Sequence, residues 1–101
     1  MRPPRSFLLG AHRWRLLVDV DEMLINDACH GQCVPRRKTI AVDGALEGTA
    51  LAEVVLHELV HAALSGLVLD DDVEEQIAQG LAGPLLEVLR RNPPLVHFLV
   101  G

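Results

Sequence analysis

His57-Glu58-Leu59-Val60-His61 places two imidazoles and a carboxylate within five residues. On an α-helix, positions four apart share a face one turn from each other, so both rings can hold one ion from the same side. Neutral imidazole is a natural zinc ligand. The glutamate beside the first histidine is placed to take a proton from a water on that metal. His57 and His61 are therefore candidate zinc ligands and Glu58 a candidate general base. With five His and seven Glu in the chain, an H-E-x-x-H pattern arises by chance roughly 0.02 times, so the motif calls for a cause.

Its surroundings sharpen the point. Leu51, Val54, Val55, Leu56, Leu59, Val60, Ala62 and Leu64 put apolar groups on nearly every side of a helix predicted from Thr49 to Ser65, with Gly66 as its stop. Two histidines and a carboxylate inside such a helix are costly unless they are paired or coordinate a metal. The competing reading has both histidines hydrogen-bonded to backbone in the core, with Glu58 at the rim.

A catalytic zinc site uses three protein ligands and one open position. Glu74 and Glu75 lie 13 and 14 residues after His61, at the start of a second helix opened by Asp70-Asp71-Asp72. Ile77, Ala78, Leu81, Ala82, Leu85 and Leu86 define the apolar sector of that helix. Phase against this sector permits either glutamate and slightly favours Glu74. Local chemistry points the other way, because Asp71 and Glu74 have the spacing of a capping box, which leaves Glu75 for the metal. Both carboxylates serving only the helix dipole is the plainer alternative.

The elements around the motif read as a small sheet followed by two helices. Residues 1–12 resemble a loose leader, and 13–101 form one domain. Trp14 to Val20 is predicted as a strand, and Asp21 to His30 is ambiguous. Gly31 to Pro35 and Lys38 to Val42 are strands joined by a turn at Pro35-Arg36-Arg37, and Asp43-Gly44 ends the sheet. The second helix runs towards Arg91, with a kink or early break expected at Pro84, and Asn92-Pro93-Pro94 stops it. Leu95 to Leu99 forms a final short turn. The expected fold is α+β, a small antiparallel sheet packed against two helices.

Composition limits the function. The chain has 101 residues, a net charge of −5 and only Phe7, Trp14 and Phe98 as aromatics. The acidic balance argues against nucleic acid as the partner. No apolar run reaches the length of a membrane span, and the short Phe7-Leu8-Leu9 run is no signal peptide, so a cytoplasmic location is expected. Cys29 and Cys33 are expected as free thiols, and Cys29-His30-Gly31-Gln32-Cys33 is a weak metal pattern beside a strand end. A tetrahedral intermediate needs a donor for its oxyanion. The chain has no tyrosine, which leaves His30, His12, His97 or a backbone N–H.

The run Val55-Leu56-His57-Glu58-Leu59-Val60-His61-Ala62, followed by Glu75-Gln76-Ile77-Ala78 and Leu81-Ala82-Gly83-Pro84-Leu85-Leu86, resembles the ImmA/IrrE family of small zinc metallopeptidases. The segments Gly31 to Asp43 and Leu89 to Leu95 look more like short phage-type zincins. The resemblance spans roughly residues 30–99, and H-E-x-x-H is its one specific element. It implies His57, His61 and Glu75 as zinc ligands, Glu58 as general base, and a protein or peptide substrate such as a regulatory protein. The chain departs from the family in Leu81 for the usual Phe, in Gly83-Pro84 within the second helix, and in lacking an upstream helix. The leading expectation is a zinc-dependent peptidase. The alternative is a non-catalytic module, stapled by a structural zinc and acting in protein interaction.

Overall fold

The structure is a computed structural model that describes residues 2–20 and 30–101. The ambiguous segment 21–29, including Cys29, lies outside the described residues. Strand β2 (His12–Val20) follows a period of two: Trp14 and Leu16 turn inward and are buried, while Arg13 and Arg15 face water. Strand β4 (Thr39–Asp43) supplies Ile40 and Val42, both with no exposed surface. Full burial of such a side chain stabilises by about 1.5–3 kcal/mol. These four residues are the floor on which the helices rest.

Two further strands complete the sheet in the order β1-β2-β4-β3, with β1 at Ser6–Leu9 and β3 at Gly31–Val34. The segment 1–12, which reads as a loose leader, thus contributes a strand. Phe7 faces Trp14 across the β1–β2 pair, and the rings stack with centroids 6.0 Å apart. Gly10, at φ 61, takes the left-handed conformation that a tight hairpin turn requires.

The sheet is mixed, not purely antiparallel. β1–β2 and β3–β4 are antiparallel, but β2 and β4 run parallel. The chain leaves β2, reappears in β3 at the far edge, and β4 returns between them. The β3–β4 hairpin is closed by a 3-10 turn, Pro35–Arg37, with Lys38 left-handed at φ 50.

Helix α1 (Gly48–Leu64) lies across β3 and β4. Leu51, Val54, Val55, Leu59 and Ala62 form the stripe that meets the sheet. The helix ends without a left-handed glycine: Ser65 stays right-handed, and its hydroxyl donates to the Ala62 carbonyl at 2.7 Å. Gly66 is not its stop.

Helix α2 (Asp71–Arg91) packs along α1. It runs through Pro84 without the expected break. Proline removes the hydrogen bond to the Gly80 carbonyl, and both Pro84 and Gly80 are exposed, so water reaches that carbonyl. Helix α3 (Pro93–Val100) is longer than a single turn, and its two prolines sit at the first positions, where no N–H is needed. Among the described residues, no helix is long and apolar enough to cross a membrane.

Candidate metal centre

The motif divides α1 between two neighbours. Glu58 falls in the stripe 51-54-55-58-59-62, so it points at the sheet, and it is 2 % exposed. His57 and His61 are rotated off that stripe by about a quarter to a third of a turn, towards α2. Helix α2 approaches through Ala78 and Ala82, both buried. Small side chains let two helices come close. Glu75 precedes Ala78 by three residues and Ala82 by seven, so all three share one face. Leu81 and Leu85, counted in the apolar sector from sequence, are exposed, and they pulled the phase argument towards Glu74.

The Glu75 carboxylate sits between the two rings. Its Oε1 lies 2.9 Å from His57 Nε2 and its Oε2 lies 2.9 Å from His61 Nε2. The ring centroids are 5.1 Å apart. One ligand atom from each of His57, His61 and Glu75 falls within 4.8 Å of the others, so this group could hold a metal ion. A test of fit comes from Glu75 Oε1, a buried oxygen that accepts no hydrogen bond despite the nearby ring nitrogen. A buried acceptor without a donor is costly. A cation between the three ligand atoms removes that cost, and the mixed nitrogen and oxygen donor set suits zinc.

Glu74 has a different task from the one its spacing suggests. The residue preceding the helix is Asp70, which makes no side-chain cap, so Asp71 is already inside the first turn and no capping box forms. Glu74 Oε2 instead lies 2.6 Å from His61 Nδ1. A carboxylate accepts, so Nδ1 donates and Nε2 is turned towards Glu75. Such a partner fixes the tautomer and orientation of a metal-binding histidine. Glu74→Gln is expected to keep one metal per chain but weaken zinc affinity by about 10–100-fold, as read by competition with a chromophoric chelator. Unchanged affinity would remove Glu74 from the centre.

Electrostatics follow from this crowd of carboxylates. Burial works against the charged form of His61, but Glu74, Glu58 and Glu75 outweigh it and its pKa is raised. Cys33, on β3, lines the same 250 Å³ cleft as Glu58, His61, Glu74 and Glu75. Burial first, then the negative charge of Glu58 and Glu74, push its thiol up to about 12. A nucleophile must be a thiolate, so Cys33 is a poor nucleophile in the metal-free protein, and its sulfur is not among the ligand atoms that come together. In the metal-free protein at pH 8, Cys33 should alkylate with iodoacetamide at least about a hundredfold more slowly than in the unfolded chain. Peptide mapping of the modified site provides the check, and equal rates would contradict the assignment.

Two residues on the sheet side were not singled out for the site from sequence. The first is Gly31, where β3 passes under Glu58. A Cβ there would meet Val54 Cγ1 at 2.8 Å and Glu58 Oε2 at 2.9 Å. Any side chain at Gly31 would displace the carboxylate, and glycine in a strand is the available signal of such a close approach. The second is Asp43, 4 % exposed, whose Oδ1 accepts from the Ala45 N–H at 2.9 Å and whose Oδ2 lies 3.1 Å from His30 Nδ1. His30 lines a second cleft of 350 Å³ together with His57. Neither His12 nor His97 lines either cleft.

Compared with protein-family models, with curated proteins and with solved structures, the chain gives no match.

Proposed function

We propose that the chain is a zinc-dependent metallopeptidase, with His57, His61 and Glu75 holding the ion and Glu58 as general base. The carrying observation is the group of three ligand atoms within 4.8 Å, with Glu58 lining the same cleft as His61 and Glu75. Three ligands leave one position open, as a catalytic site needs and a closed structural site does not. The resemblance to the ImmA/IrrE family points the same way.

Bound there, zinc supplies Lewis-acid polarisation of the scissile carbonyl and acidifies water. Glu58 takes the proton from the attacking water and then delivers it to the amine nitrogen as the C–N bond breaks. The carboxylate is buried, close beside the Gly31 backbone. Glu74 keeps His61 facing the ion.

A peptide substrate fits the strand order. Among the described residues β3 is an edge strand, and its Gln32 and Cys33 line the cleft with Glu58 and His61. An extended peptide can add to such an edge through main-chain hydrogen bonds. The family resemblance raises a regulatory protein as the natural substrate. The net charge of −5 disfavours nucleic acid.

Incubation of the zinc-loaded protein with casein and a set of internally quenched peptides tests the reading. New amino termini should appear by mass spectrometry and vanish with chelator. Intact substrates throughout would favour the non-catalytic zinc module.

A further inference from the structure

We propose that two copies of this chain exchange helices, each α3 lying in an apolar groove between α1 and α2 of the other. Two unpartnered features of one molecule carry the proposal, because each has the chemistry the other needs.

The first is α3 itself. It has no buried residue, and Phe98, Leu99 and Val100 are 79 %, 63 % and 80 % exposed. Its one substantial packing partner among the described residues is α2. A helix of this length is too short to hold its shape in water without tertiary packing. Pro93 to Val100 contains no Asp, Glu, Lys or Arg, so apolar contact is what it offers a partner.

The second is a groove of about 560 Å³ lined by Ala52, Val55 and Leu56 of α1 and by Leu86 and Leu89 of α2. Both walls are helices, whose main-chain groups bond internally. An extended peptide would find no partners there for its own N–H and C=O groups. A helix arrives with its main chain already satisfied and lays an apolar face in such a groove. Charge agrees with this occupant. No residue lining the groove is acidic, and Arg2 and Arg90 line it. A docked helix presents unpaired carbonyls and partial negative charge at its C-terminal end. A guanidinium carries several donors, of which Arg2 gives one to Asp19 and Arg90 one to Thr49, so each has others for those carbonyls.

The helix does not fill the groove of its own chain. Asn92 alone separates α2 from α3. Its Nδ2 donates to the Val88 carbonyl at 2.8 Å, and its carbonyl accepts from the Leu95 and Val96 N–H groups at 3.0 and 3.1 Å. That double anchor sets the direction in which α3 leaves α2, and no residue from 93 to 101 lines the groove. A two-fold exchange gives each groove the other copy's helix. An eight-residue helix is about 12 Å long and 10 Å wide, so seating both buries on the order of 1,000 Å², the low end for a specific interface. The dimer is therefore expected to be weak, with a micromolar dissociation constant. The groove shares no residue with the clefts at the metal ligands, so the exchange stands apart from the peptidase reading.

Sedimentation of the full chain from about 1 to 300 µM, a span that brackets a micromolar constant, should show monomer giving way to dimer. Phe98→Asp puts a charge into the contact, and Ala52→Arg fills the groove. Each should weaken association at least tenfold and keep the parental circular dichroism. Contact is then read directly. Phe98 is replaced by the photo-crosslinker benzoylphenylalanine in a mixture of ¹⁴N- and ¹⁵N-labelled chains. Linked peptides carrying both isotopes should join position 98 to the α1 or α2 residues of the groove. A parent that stays monomeric throughout, or an Ala52→Arg protein that dimerises as the parent does, would overturn the proposal. So would links from position 98 to position 98 of the other copy, which would place α3 against α3, or links confined to a single copy.

Discussion

Glu58→Gln is expected to abolish nearly all hydrolysis, lowering kcat by about 10²–10⁴-fold, the usual contribution of a positioned general base. The amide matches the carboxylate in size and shape but cannot take a proton from water. The substitution should leave the fold intact. Glu58 is buried beside Gly31, so an isosteric change avoids the cavity that alanine would open. Zinc content should also be unchanged, since the ligand atoms belong to His57, His61 and Glu75. The measurement is turnover of a cleaved peptide together with elemental analysis and a melting curve on the same preparation. Hydrolysis at the parental rate would rule out Glu58 as the base.

Removal of zinc should lower the melting temperature by about 15–30 °C. An ion that binds only the folded chain stabilises it by about 4 kcal/mol at a thousandfold excess over Kd. A domain of this size shifts by about 4–8 °C per kcal/mol. The structural reason is that an ion held by His57, His61 and Glu75 would join α1 to α2 and satisfy Glu75 Oε1, which has no hydrogen-bond partner. The effect should depend on pH in a set direction. The pKa of His61 is raised, with burial opposing and the carboxylates of Glu74, Glu58 and Glu75 prevailing. A group whose folded pKa is raised stabilises below its unfolded pKa, and that stability is lost as pH rises through the folded value. In the metal-free protein a proton on His61 therefore partly takes the place of the cation in acid. The gap between holo and chelated melting temperatures should be small near pH 5.5 and widen towards pH 8. Differential scanning fluorimetry with and without chelator across that range provides the check. A gap that is constant with pH would contradict the shared role of proton and metal.

The sequence carried the centre of the site more plainly than its frame. His57, Glu58 and His61 are legible because a helix turns five residues into a fixed geometry. The α+β class, the β3–β4 hairpin and both long helices are legible from periodicity and from Gly, Pro and Asp at their ends. Other features depend on tertiary contacts. Ser6–Leu9 becomes a strand because Phe7 finds Trp14, which no local pattern announces. The parallel β2–β4 pair depends on where the chain goes after Val20. Glu75 lies beside the histidines, but the capping argument that left it for the metal does not describe this helix. Glu74 is occupied by His61 rather than by the helix terminus. The phase argument misled because Leu81 and Leu85 are exposed, while the small residues Ala78 and Ala82 mark the buried face. Asp43 reads from sequence as a turn residue at the end of a strand, and only the fold reveals it beside His30.

The central claim is that His57, His61 and Glu75 together hold a zinc ion, and metal content of the Glu75→Ala protein tests it most directly. Parent and variant are purified without added metal, dialysed against the same buffered free zinc and analysed by mass spectrometry for bound metal. The parent should carry about one zinc per chain, and Glu75→Ala should carry almost none while retaining its helices by circular dichroism. Full zinc content in Glu75→Ala, or none in the parent, would contradict the account.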